Sequence, residues 1–177
     1  MIRAVGDMDI VSPLFNLEER SFKKGFDVIA MSGGELWLIE SKAGHVKNSQ
    51  DATQKVHERI DEAKRCLNER LNEDSSQLWT NATNSVSRYL DYRDEKQTVV
   101  NIVEGVSNSG TSSDKNVVLS GTVFCPFSSE INRQKILDIH NTIKNSGIFS
   151  KLQIIVIQKQ TMEAVIDFLK GLENSDE

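Results

Sequence analysis

Residues 25–42 read GFDVIAMSGGELWLIESK, and the placing of glycines among apolar residues in them decides the fold. Two apolar runs flank Gly33 and Gly34, the short-range signature of a β-hairpin with a two-residue turn. With the glycines as the turn, Ser32 pairs with Glu35, and the same register sets Asp27 opposite Glu40. Directly opposed residues hold their Cβ atoms about 4.5–5.5 Å apart. Side chains alternate across a strand, so Lys42 shares the face of Glu40. Val28, Ile29 and Ala30 oppose Leu36, Trp37, Leu38 and Ile39, and strands apolar on both faces belong inside a sheet. Charges at the end of such strands need a reason.

The chemistry suited to this trio is metal-assisted hydrolysis. Two adjoining carboxylates repel, and both ionise when a cation lies between them. Oxygen ligands in small number suit Mg²⁺ or Mn²⁺, with water filling the other positions. Such a cation polarises a phosphoryl oxygen and lowers the pKa of a bound water. Lys42 can orient that water or neutralise charge building on the phosphate. The structural alternative is a solvated Asp–Lys–Glu cluster that protects a hairpin edge. The apolar flanks argue against it.

Asp27, followed by Glu40-Ser41-Lys42, resembles the PD-(D/E)XK signature of restriction endonucleases and defence nucleases. The flanking pattern, Gly25-Phe26-Asp27 and then Leu36-Trp37-Leu38-Ile39-Glu40-Ser41-Lys42, is most similar to the nuclease subunit of Hachiman-type antiphage systems. The resemblance covers residues 5–71 specifically and the rest by element order. It implies an α/β (α+β) fold, a restriction-endonuclease-like mixed central sheet flanked by helices. It also implies Asp27 and Glu40 as metal ligands, Lys42 as the catalytic lysine, and Mg²⁺ or Mn²⁺ as cofactor. The expected substrate is nucleic acid, DNA favoured, beside a helicase partner subunit that controls access to it.

Members of that superfamily usually carry a helix before the first core strand, often with a further acidic ligand. The residues before the hairpin do not read as one. Asp7 and Asp9 lie in an apolar-alternating stretch (Val5, Met8, Ile10, Val11) that reads as a first strand. Glu18 and Glu19 follow Pro13 in a turn or strand end, and solvated surface charge is the favoured reading for both. The expected domain spans residues 1–172, short of that helix, and residues 173–177 form a disordered acidic tail. A catalytically inactive nuclease-fold module, binding nucleic acid or a protein partner, is the alternative function. The missing helix favours it; the intact trio opposes it.

The net charge of −5 counts against a simple electrostatic DNA binder. Arg20, Lys23 and Lys24 precede Asp27, while Lys47 and Lys55 follow Lys42. They are candidates for a phosphate path, with ordinary surface charge as the alternative for any one of them. Lys24, His45 and Gln54 are the candidate substrate contacts. An exposed loop histidine is the favoured reading of His45, and Gln54 reads also as a common helical glutamine.

A chain of 177 residues, 38% hydrophobic and 27% charged, fits one domain with a sizeable core. No apolar run approaches the roughly 20 residues of a membrane span, and no signal peptide is visible. Cys66 and Cys125 form no disulfide framework or CxxC spacing, so a reducing cytoplasm is the expected compartment. Ala52, Val56, Ile60, Ala63, Leu67 and Leu71 predict a helix of about six turns, beginning at Asn48 or Ser49 with Asp51 in its first turn. A second helix is expected over 76–93, carrying Leu78, Trp79, Ala82, Val86, Tyr89 and Leu90 as core. Strands are expected over 98–103 and 116–125, with a mobile loop over 104–115 between them. A helix from Ser128 or Ser129 to about residue 146, a strand over 152–157 and a helix capped by Thr161 (Met162, Val165, Ile166, Leu169) complete the order.

Overall fold

The computed structural model describes residues 8–13, 25–47, 50–73, 76–108, 110–126, 128–163 and 166. They form β1 (Asp9–Pro13), β2 (Val28–Ser32), β3 (Glu35–His45), α1 (Ala52–Asn72), α2 (Ser76–Tyr89), α3 (Lys96–Ser107), β4 (Asn116–Phe124), α4 (Arg133–Asn145) and β5 (Lys151–Lys159). The strands make one sheet in the order β1-β2-β3-β4-β5. Its first two pairings are antiparallel and its last two parallel. This is the expected mixed sheet flanked by helices, an α+β arrangement consistent with a restriction-endonuclease-like fold.

Gly33 and Gly34 both adopt positive φ, 57° and 77°, as a type I′ turn requires. The ladder runs from Ser32–Glu35 to Val28–Ile39 in the expected register. β3 is the middle strand, with β2 on one side and β4 on the other, which is why Leu36 to Glu40 are all buried. Leu36 and Leu38, with Ile29, Val117, Leu119 and Val123, meet the helices in the main core. Trp37 and Ile39, one residue out of phase, join Met8, Ala30 and Val118 in a second cluster on the other face. Parallel strands need crossovers, supplied by α1–α3 between β3 and β4 and by α4 between β4 and β5.

All six residues of the expected α1 stripe are buried. Asp51 is the N-cap itself, accepting from the Thr53 amide at 2.7 Å, so it precedes the helix where a first-turn position was expected. Asn48 and Ser49 lie outside the described residues. The helix lies close to β4 because Gly121 has no side chain: a Cβ there would sit 3.2 Å from Ile60 Cγ1.

Other boundaries differ from the sequence expectation. α2 ends at Tyr89, short of residue 93, and Tyr89 is 46% exposed where a core role was expected. Residues 98–103 belong to α3 and form no strand, and α3 also takes in the start of the expected 104–115 loop. Val99, Ile102, Val103 and Val106 recur at helical spacing; packing against α2 overrides the strand preference of β-branched residues. α4 starts at Arg133, later than expected, because Asn132 caps it by accepting from the Lys135 amide at 3.0 Å. The expected first strand is β1, with a bulge that leaves Val11 between the Ile10–Ala30 and Ser12–Ile29 pairs. Met162 and Ile166 of the expected last helix are exposed. Val5, Asp7, Glu18, Glu19, Val165, Leu169 and the tail 173–177 lie outside the described residues. No helix among the described residues is long and apolar enough to cross a membrane.

Candidate active site

β2 begins at Val28, so Asp27 stands just beyond the main-chain ladder. Its side chain carries the pairing one step further: the Ser41 amide donates to Asp27 Oδ2 at 2.8 Å. This fixes the Asp27 carboxylate beside β3 at the residue after Glu40. Lys42 Nζ donates to Glu40 Oε1 at 2.7 Å, as expected for two residues on one strand face. Asp27, Glu40 and Lys42 therefore converge at the open end of the hairpin, on the face that α1 covers.

Glu40 is only 1% exposed. A carboxylate so buried needs cations and hydrogen bonds to offset its lost hydration. Lys42 supplies one, and Arg70 in the last turn of α1 supplies the other, pairing with Glu40 Oε2. Arg70 has two further anchors. Its Nη1 donates to the Gly25 carbonyl at 2.5 Å, and its Nε donates to the Cys66 carbonyl at 3.3 Å. Sequence reasoning missed Arg70. Its one visible signal is its place beside Leu71 at the end of the buried stripe; which strand residue it meets depends on how α1 crosses the sheet.

Burial opposes the charge on Lys42, but its hydrogen bond to Glu40 and the charges of Glu40 and Asp27 outweigh that. Its pKa is raised above the ordinary 10.5. At neutral pH Lys42 is a cation and a proton donor, not a base.

His45 falls on the β3 face opposite Glu40 and Lys42, stacked on Phe124 with ring centroids 4.9 Å apart. Gln54 is exposed in the first turn of α1. Sixteen residues separate it from Arg70, about 24 Å along the helix axis. It lines a cleft of about 420 Å³ with His57, Lys135 and Asp138. Lys24 lies outside the described residues.

Two carboxylates from adjoining strands suit Mg²⁺ or Mn²⁺, which keep several waters and take few protein ligands. Among the described residues no group of three or more His, Cys, Asp or Glu gathers to hold an ion. Both oxygens of Glu40 already face cations, so a divalent ion would reach it only by exchange with Arg70 or Lys42. The donor set fits such an ion on that condition.

No curated protein and no solved structure matches the chain. Residues 14–170 match the family model for HamA, a span that takes in Asp27, Glu40, Lys42 and Arg70. The chain belongs to the HamA family, the Hachiman-associated family, and so to antiphage defence.

Proposed function

We propose that this chain is a metal-dependent nuclease of the PD-(D/E)XK type, hydrolysing phosphodiester bonds of DNA beside a helicase partner. The observation that carries the reading is the convergence of Asp27, Glu40 and Lys42 on one sheet face at the end of the hairpin. Asp27 and Glu40 would hold Mg²⁺ or Mn²⁺, an ion that supplies Lewis-acid polarisation of the phosphate and a more acidic water. The Ser41 amide orients Asp27 for that task, and Glu40 holds the Lys42 ammonium in place. Lys42, protonated, donates to a phosphoryl oxygen as negative charge grows there. Lys24 stays a candidate phosphate contact. Gln54 and His45 stay candidate substrate contacts.

The test is cleavage of plasmid and single-stranded DNA with Mn²⁺, beside EDTA controls and folded Glu40→Gln and Lys42→Gln proteins. Both substitutions should lower cleavage by about a hundredfold or more. Equal cutting by wild type and Glu40→Gln would sink the assignment. The engagement of both Glu40 oxygens by cations favours a second reading, a catalytically inactive module that binds nucleic acid or a protein partner. Melting separates the two. A live site gains about 2.7 kcal/mol from Mn²⁺ at a hundredfold excess over Kd, and Glu40→Gln abolishes the gain. An inactive module shows no Glu40-dependent shift.

A further inference from the structure

We infer that Arg70 is the resident counter-cation of this site: it holds Glu40 until a divalent ion takes its place, and then binds a nucleic-acid phosphate, so that metal and nucleic acid bind as a pair. The inference rests on the nuclease reading and adds to it a residue and an order of events that the motif does not contain.

The anchoring of Arg70 carries the first part. Two of its three acceptors are main-chain carbonyls, those of Gly25 and Cys66. Only Nη2 depends on Glu40. When Glu40 turns to a metal, the guanidinium stays held at Nε and Nη1, with Nη2 facing the site. A planar, permanently charged fork held in this way suits a phosphate oxygen. The other cations of α1 pair within their own helix: Lys55 with Glu58, Arg59 with Glu62, Lys64 with Asp61 and Arg65 with Glu69. Arg70 alone of the set pairs with a carboxylate of the sheet.

Charge carries the second part. By formal charge, Asp27 and Glu40 balance Lys42 and Arg70, and the ion pairs Lys42–Glu40 and Arg70–Glu40 hold them together. A divalent ion alone would leave two uncompensated positive charges around a carboxylate that is 1% exposed. A phosphodiester arriving with the ion cancels one of the two. Each ligand therefore strengthens the other, by the same factor in both directions.

The experiment titrates Mn²⁺ into the whole chain by calorimetry, with and without a phosphorothioate single-stranded DNA oligonucleotide. It compares wild type with Arg70→Gln, Arg70→Lys and Glu40→Gln. In wild type the oligonucleotide should tighten Mn²⁺ about tenfold. Arg70→Gln should bind Mn²⁺ alone about tenfold more tightly than wild type and gain less from the oligonucleotide than wild type does, since Lys42 and the ion remain to attract phosphate. Arg70→Lys keeps the charge and loses the fork; it should bind Mn²⁺ alone as wild type does and couple more weakly to DNA. Unchanged Mn²⁺ affinity in Arg70→Gln, or coupling there as strong as in wild type, overturns the inference and leaves the Glu40-dependent metal site standing. If Arg70→Gln does not fold, full coupling in Arg70→Lys overturns it instead. The absence of any Glu40-dependent Mn²⁺ binding overturns this inference and the nuclease reading together.

Discussion

Glu40 is a carboxylate on the middle strand of a sheet, and such a charge persists in the interior only where cations meet it. Lys42 could be read as one partner from the two-residue repeat of a strand. Arg70 could not, because no local period links it to Glu40. Lys42 has a consequence for pH. With its folded pKa raised, its pairing contributes stability in full below 10.5 and loses that contribution as pH rises through the folded value. Lys115 shifts the other way, burial lowering its pKa despite Asp114, but it is common to wild type and variant. Above about pH 10.5 the melting temperature of wild type should therefore fall more steeply than that of Lys42→Met. Parallel alkaline limbs would show that Lys42 gains nothing from its carboxylates.

Two elements place the site: the β2–β3 hairpin, which sets the trio, and α1, which brings Arg70. The approach of α1 depends on Gly121, where a Cβ would lie 3.2 Å from Ile60 Cγ1 and 3.4 Å from the Val56 carbonyl. Gly121→Ala should destabilise the protein by about 1–3 kcal/mol in urea unfolding, since both neighbours are packed. An unchanged midpoint would mean that α1 yields freely there. Gly44 makes a useful contrast: its nearest neighbour, at 3.0 Å, is Lys55 Cε on a flexible side chain that can move aside. α3 shows the limit of reading elements one at a time. Its valines alone suggest a strand; its pairing with α2 makes the helical spacing of Val99 and Val103 the one that buries them.

Over the whole molecule, the nuclease proposed above would, at net charge −5, hold a polyanion through few contacts. If Lys42 and Arg70 are the main phosphate contacts, log K for duplex DNA should fall with log salt at a slope of about −2. A slope near −6 would instead point to an extended basic surface.

The sequence by itself determined the hairpin, its register, the buried stripe of α1 and the meeting of Asp27, Glu40 and Lys42. Each follows from a turn or a period that operates within a few residues along the chain. Only the tertiary structure decided that Arg70, 30 residues from Glu40, closes the site, that residues 98–103 are helical, and that His45 stacks on Phe124. Those outcomes depend on how α1 crosses the sheet and which faces α2 and α3 bury. Such choices are made by close packing between distant segments, and no local pattern encodes them.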